Sequence, residues 1–480
     1  MFFNSITFLL FFAVVFAVMW LFLPGHRKAR NLFLLSTSYV FYGWWDWRFL
    51  GLIVLSSAVD FGIGQAIHKA EDHSKRKRWL AASLGTNLGL LGLFKYFNFF
   101  IDSLDAVLAP LGGSAAGLHL DIVLPVGISF YTFQTLSYTL DIYRRRLTPV
   151  SDPVQFFAFV AFFPQLVAGP IERARDLLPQ FGQERMRFSA DVVRSGLLLA
   201  MWGMFKKVVI ADRLAIYVDA AFNAPGTLDG WGAAAGLAFF AGQLYLDFSA
   251  YSDIAIGISR MIGFQLSENF RRPYFASSFS DFWKRWHITL SSWFRDYLYI
   301  PLGGNRGRAG RVATNVLIVF LVSGLWHGAS WNFVIWGGLN GLFLVVVDPV
   351  LQQTLGKAGR VGRVVSAGLV TGCWTLSLAF FRGQTFNDAR GMIAQLFSPA
   401  PADALPDFHL EFPWRLTFAL LALLFGVEAI RERWVDSHLW LVRWPRPMRW
   451  SLYFVMCWAI LLLGVHGVDI GDKQFIYFQF

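Results

Sequence analysis

Between Val312 and Val347 the chain carries no formally charged side chain. As one helix this run would measure about 54 Å, well beyond the roughly 30 Å hydrocarbon core of a bilayer. It must tilt strongly, break, or form two segments. The break is expected at Gly324 to Ser330, where Gly, Ala and Ser cluster. The stretch SGLWHGASWNFVIWGG (323–338) also places His327 inside this apolar run. His327 follows Arg311 by 16 residues, about 24 Å of rise along an intact helix. That depth puts the ring within a membrane, not at its surface.

Comparable runs recur along the whole chain of 480 residues, which is 56% hydrophobic and 15% charged. A typical globular domain carries about 25% charged residues. Apolar segments near 6–23, 32–45, 50–67, 79–100, 122–142, 154–168, 191–211, 231–263, 313–347, 365–381, 415–430 and 449–467 predict an all-α polytopic membrane protein. Roughly 10 to 12 spans are expected, with re-entrant or interfacial helices beside them. No fixed-period repeat or soluble domain interrupts the pattern, so a single membrane domain over 1–480 is expected, with its polar core at 265–347. The net charge of +11 does not point to nucleic acid, because the cations are scattered through short loops. Loop cations report orientation instead. Arg27, Lys28 and Arg30, then Lys69 and Lys75 to Arg78, then Arg144 to Arg146 mark inner loops, which leaves the N-terminus outside. The first apolar stretch lacks a basic leader and reads as a retained helix, not a signal peptide. Cys373 and Cys457 lie in apolar segments without metal-ligand spacing and read as packing residues.

The densest polar region is 265–311. Asp281, Lys284, Arg285, His287, Arg295 and Asp296 alternate there with Phe282, Trp283, Trp286, Trp293 and Phe294. An interfacial helix anchored by tryptophans and the lining of a polar cavity both fit, since charges are costly in a plain span. Arg295 and Asp296 are placed to pair with each other. The following PLGGNRGRAGR supplies Arg306, Arg308 and flexible glycines, suited either to a phosphate-bearing ligand or to an inner loop obeying the positive-inside rule. His327 also has two readings: a structural ring bonded to a neighbouring helix, or a neutral imidazole acting as a base in a low-dielectric cavity. On the second reading the nearby glycines admit a substrate and the tryptophans, Trp326 among them, wall out water. Ser323 and Asn332 flank His327 by about one turn and are candidates to fix its tautomer. Tyr131 and Gln134 are candidate cavity residues. His26, His68, His73, His119, His409, His438 and His466 lie in or near loops and receive no role. Asp60, Asp141 and Asp253, within or near apolar runs, keep a proton-coupled transporter or flippase open as an alternative.

Two stretches together, SFSDFWKRWHITLSSWFRDYLYIPLGGNR and GLWHGASWNFVIWGGLNG, resemble the membrane-bound O-acyltransferase (MBOAT) family. FFPQLVAGPIER (162–173), DFSAYSDIAIGISRMIGFQLSENFRRPY (247–274) and FIYFQF (475–480) are similar to its bacterial alginate O-acetyltransferase branch. The likeness covers essentially the whole chain. It implies helices around a central cavity or tunnel holding His287 and His327, with His327 catalytic and His287 orienting or polarising. It also implies O-acyl transfer in the bacterial inner membrane, from a cytoplasmic donor, acetyl-CoA, towards an exported polysaccharide such as alginate or cellulose. No tightly bound cofactor or metal is implied. A periplasmic serine-esterase-like partner and the export machinery would complete the pathway, and the aromatic tail from Gln474 to Phe480 is a candidate docking segment. D-alanyl transfer to teichoic acid is the alternative within the same family.

Overall fold

A computed structural model describes residues 1–356, 358–399, 414–434, 444–465 and 475–476. Those residues contain helices and no strand. The chain divides into two compact units: Met1–Gly196 with Ala255–Ser267, and Leu197–Ile254 with Glu268–Phe480.

The first unit holds α1 (Ile6–Leu21), α2 (Arg27–Asp46), α3 (Leu50–Lys69), α4 (His73–Leu91), α5 (Phe97–Leu108), α6 (Ile128–Tyr143), α7 (Pro153–Val160) and α8 (Ala174–Phe181), with the start of α9 (Ala190–Met204). Local chemistry sets several starts. Asp72 accepts from the backbone N–H of Ser74 and Lys75 at the head of α4. Asp152 does the same for α7, with Pro153 in the first turn, where its missing N–H is harmless. The helices α3, α4 and α6 enclose a buried polar network. Ser83 Oγ donates to Asp60 Oδ1 at 2.6 Å, Asn87 Nδ2 donates to Asp60 Oδ2 at 2.8 Å, and Ser56 Oγ donates to Asn87 Oδ1 at 2.8 Å. Away from water such groups must satisfy one another. Asp60 is therefore engaged as a helix-to-helix tie. In the AGPIER loop the buried Glu172 carboxylate accepts from Ser267 N at 2.5 Å and Ser267 Oγ at 3.0 Å. Burial raises its pKa to about 7, against the lowering effect of those bonds.

The second unit contains α10 (Asp212–Asn223), α11 (Gly230–Met261) as far as Ile254, α12 (Phe279–Arg285), α13 (Ile288–Phe294), α14 (Ala309–His327), α15 (Trp331–Leu342), α16 (Asp348–Thr354), α17 (Gly359–Arg382), α18 (Phe386–Gln395), α19 (Trp414–Trp434) and α20 (Arg446–Leu463). Thr385 and Asp388 form a reciprocal capping box on α18. Buried Trp286, Trp336 and Trp374 form the centre of this unit.

Four helical stretches among the described residues are long and apolar enough to cross a membrane: Arg27–Lys69, Ala309–His327, Trp331–Thr354 and Gly359–Arg382. The apolar α1 is shorter than these, and several other apolar runs are only partly regular α-helix. The 154–168 run stops being helical after Val160, ahead of Pro164, which disfavours helix in the residue before it. The 122–142 run becomes helical only at Ile128. The 79–100 and 191–211 runs pass into π-helical turns at Gly92–Tyr96 and Phe205–Ala211.

The uncharged run breaks where its glycines predicted: α14 ends at His327 and α15 begins at Trp331. The two helices pack backbone to backbone. A Cβ on Gly324 would lie 2.1 Å from the Phe333 carbonyl oxygen, and one on Gly337 would lie 2.3 Å from that of Phe320. Small residues permit such approach where no hydrophobic transfer drives helices together. Gly324→Ala or Gly337→Ala should thus destabilise by roughly 1–3 kcal/mol, seen as a lower thermal midpoint in detergent. Gly372→Ala on α17, where the added carbon meets nothing within 4 Å, should leave that midpoint unchanged.

Candidate functional site

His327 is the last residue of α14, and the chain leaves it through Gly328 in extended backbone. A Cβ on Gly328 would lie 2.0 Å from the Phe333 ring. The glycines around His327 are thus filled by the protein itself, which corrects the expectation that they make room for a substrate. Three rings meet the imidazole edge-on: Trp326 at 5.0 Å, Trp336 at 5.1 Å and Phe381 at 5.4 Å between centroids. His327 is only 5% exposed inside this wall. Trp331, the other tryptophan adjoining His327 in sequence, is 60% exposed. Trp336 replaces it because α15 turns that residue inward.

The second histidine arrives from a different direction. Ser278 caps α12 by accepting from Asp281 N, and α12 ends at Arg285 with Trp286 extended. His287 then adopts φ +43°, a left-handed conformation, before α13 starts at Ile288. Such a backbone costs about 1–3 kcal/mol in a residue with a side chain and persists only where its surroundings enforce it. Here Ile288 N donates to the Asn269 carbonyl at 2.9 Å and Arg271 N donates to the Arg285 carbonyl at 2.8 Å. The Asn269 side chain lies 3.0 Å from His287 Nδ1. Phe248 of α11 meets the ring edge-on at 4.7 Å, and Trp326 at 5.9 Å. His287 and His327 stand 6.4 Å apart between centroids. Burial, reinforced by the neighbouring His327, holds the His287 pKa well below the ordinary histidine range. The ring is therefore neutral at physiological pH and gains a proton only at markedly lower pH.

The other sequence candidates divide. Trp326 joins the two histidines, and Ser323 is buried one turn before His327. Asn332 Nδ2 donates to the Gly383 carbonyl at 2.8 Å, so its amide ties α15 to the end of α17. Arg306 and Arg308 are exposed at the opposite end of α14 from His327, about 27 Å along the helix axis. Tyr131 and Gln134 are buried on α6 in the first unit, where Gln134 Nε2 donates to the Phe159 carbonyl at 2.8 Å. Arg295 Nε does pair with Asp296 at 2.7 Å. Phe475 and Ile476 are buried within the second unit; the rest of the candidate docking tail lies outside the described residues, as do His409, His438 and His466.

Sequence reasoning missed Asn269, Phe248, Trp336 and Phe381, none of which has a distinctive spacing to the histidines. It also missed two buried cations behind α11. Lys206 Nζ meets Asp253 at 2.8 Å, while Lys207 Nζ meets Asp247 at 2.5 Å and Asp212 at 2.9 Å. Asp253 is therefore held in an ion pair.

Two buried histidines thus stand side by side within a wall of aromatic rings. The sequence profile of the membrane-bound O-acyltransferase family matches residues 140–355. A probable alginate O-acetylase, AlgI, of Azotobacter vinelandii is 41% identical over 433 residues, covering 90% of this chain and 84% of that protein. A peptidoglycan O-acetyltransferase of Helicobacter pylori is 35% identical over 76% of this chain and 73% of its own length. A teichoic acid D-alanyltransferase of Streptococcus thermophilus is 26% identical over 61% of this chain and 72% of its own length. The chain belongs to the membrane-bound O-acyltransferase family, and it is a multi-pass membrane enzyme that transfers acyl groups to hydroxyls.

The aromatic wall yields a direct expectation. Trp336→Ala should lower kcat by roughly 100-fold in the folded fraction, the scale set by small displacements of a reacting group, and lower the thermal midpoint as well, because it empties a fully buried site. An unchanged kcat in purified Trp336→Ala protein would remove the wall from the catalytic account.

Proposed function

We propose that this enzyme moves acetyl groups from acetyl-CoA at the cytoplasmic face of the bacterial inner membrane towards an exported polysaccharide of the alginate or cellulose type. The observation that carries the reading is the buried pair His287 and His327, 6.4 Å apart, in a chain 41% identical to a probable alginate O-acetylase. The lower identity to a D-alanyltransferase, 26%, favours acetyl transfer over D-alanyl transfer.

In this mechanism His327 acts as the base. Its imidazole takes the proton of an acceptor hydroxyl while that oxygen attacks the thioester carbonyl carbon. The C–O bond forms, the C–S bond breaks, and the departing thiolate takes the proton back from the imidazolium. A base of this kind works best with water excluded, and the Trp326, Trp336 and Phe381 rings supply that exclusion. Arg306 and Arg308 lie too far along α14 to touch the reacting atoms, so their role is to hold donor phosphates at the membrane surface. The N-terminus is periplasmic on this reading, and a periplasmic serine-esterase-like partner with the export machinery receives the acyl group.

Purified enzyme in proteoliposomes should transfer label from radioactive acetyl-CoA to a glycan or to the partner, and His327→Ala should abolish that transfer at unchanged protein level. Undiminished transfer by His327→Ala would overturn the assignment of the base. The double variant Arg306→Gln, Arg308→Gln should raise KM for acetyl-CoA roughly tenfold, matching the loss of about 1.4 kcal/mol of binding, with kcat retained. An unchanged KM would leave these arginines with an orientational role only.

A further inference from the structure

The Asn269 side chain joins His287 to Thr289 of α13 and Ser252 of α11. Its Oδ1 lies 3.3 Å from Thr289 N, 2.8 Å from Thr289 Oγ1 and 3.0 Å from His287 Nδ1. Its Nδ2 donates to Ser252 Oγ of α11 at 3.1 Å. The residue is 1% exposed, and its main-chain carbonyl accepts from Ile288 N.

These contacts fix the orientation of the amide. A backbone N–H only donates, so the amide atom facing Thr289 N must be the carbonyl oxygen. Turning the amide over would set its NH2 group against that N–H and leave a buried donor facing a donor. The same oxygen faces His287 Nδ1. A carbonyl oxygen only accepts, so Nδ1 must carry the hydrogen. In a neutral imidazole the other nitrogen, Nε2, then holds the lone pair. The ring contacts include Phe248, Phe270 and Trp326, which carry no charge, and His327, which is titratable.

We propose that Asn269 is a positioning residue that locks His287 in the Nδ1–H tautomer, so that His287 presents a hydrogen-bond-accepting lone pair at Nε2 during acyl transfer. This excludes the polarising role in which a neutral His287 would donate an N–H at Nε2 to the acyl carbonyl. The inference rests on the acyl-transfer reading for its purpose. Its geometry rests on the contacts of the Asn269 amide. Ser252 and Thr289 complete the clamp, so the tautomer is set by α11 and α13 together.

The test is solid-state NMR of the full-length protein, labelled with 15N-histidine and held in lipid bilayers at neutral pH. The His287→Gln spectrum identifies the His287 signals by difference. The expected result is a protonated Nδ1 and an unprotonated Nε2; an Nε2–H signal for His287 would overturn the proposal. Asn269→Leu removes the acceptor and should lower kcat roughly 10- to 100-fold, the range for loss of an orienting partner, with the His287 tautomers mixed. Asn269→Asp should retain the Nδ1–H tautomer. Its carboxylate favours the imidazolium, so the acid limb of the kcat/KM profile should move to higher pH. Wild-type kcat and an unmixed tautomer in Asn269→Leu would sink the assignment. If Asn269→Leu fails to fold, the wild-type spectrum and the Asn269→Asp profile decide it. If the wild-type enzyme transfers no acyl group, the functional reading falls, while an Nδ1–H spectrum still supports the clamp.

Discussion

The contact on which the histidine-bearing unit depends is the backbone-to-backbone approach of α14 and α15. Gly324 and Gly337 bring the helices so close that no Cβ fits between them. That approach allows a sharp turn at Gly328 and Phe333 to fill the space beside it. A helix end inside a membrane is tolerated only where protein or a polar cavity surrounds it, because lipid offers no hydrogen bonds. His327 ends α14 and is enclosed by protein. Trp336 of α15 and Phe381 of α17 close over it. Seating His327 and walling it off are thus one packing event.

The second histidine depends on electrostatics behind it. The π-helical turn at Phe205–Ala211 carries Lys206 and Lys207, both buried and paired with acids on α10 and α11. Between Asp247 and Asp253 on α11 lie Phe248, which packs on His287, and Ser252, which accepts from Asn269. A buried ion pair is a weak source of net stability but a strong constraint on register, because a slip would strand a charge. Register is what this stretch of α11 must keep. The strained backbone of His287 is held against that wall by main-chain bonds from both neighbouring segments.

Much of this organisation was legible in the sequence where a local rule governs it. The uncharged run was too long for one span, so it had to break, and the glycine cluster located the break. The pairing of Arg295 with Asp296 followed from adjacency and unlike charge. What remained hidden was tertiary. Periodicity does not say whether a glycine makes room for a substrate or for a facing helix, and here it is the helix. Nor does adjacency pick Trp336 over Trp331, since the turn between α14 and α15 decides which ring points inward. Asn269 lies 18 residues from His287 with no pattern linking them; only the folded path of the chain brings its amide to the ring. Helix bounds were hidden for a related reason, since the helix of the 154–168 run stops at Val160 inside a stretch that hydropathy treats as continuous.

The central claim is that acyl transfer takes place at the buried histidine pair. It is tested most directly by an experimental structure of the enzyme in lipid with a non-transferable thioether analogue of acetyl-CoA. The account predicts the carbonyl carbon of the analogue within van der Waals contact of the His327 imidazole, inside the wall of Trp326, Trp336 and Phe381. An analogue bound productively with its carbonyl elsewhere, and both histidines sealed from it by protein, would contradict the account.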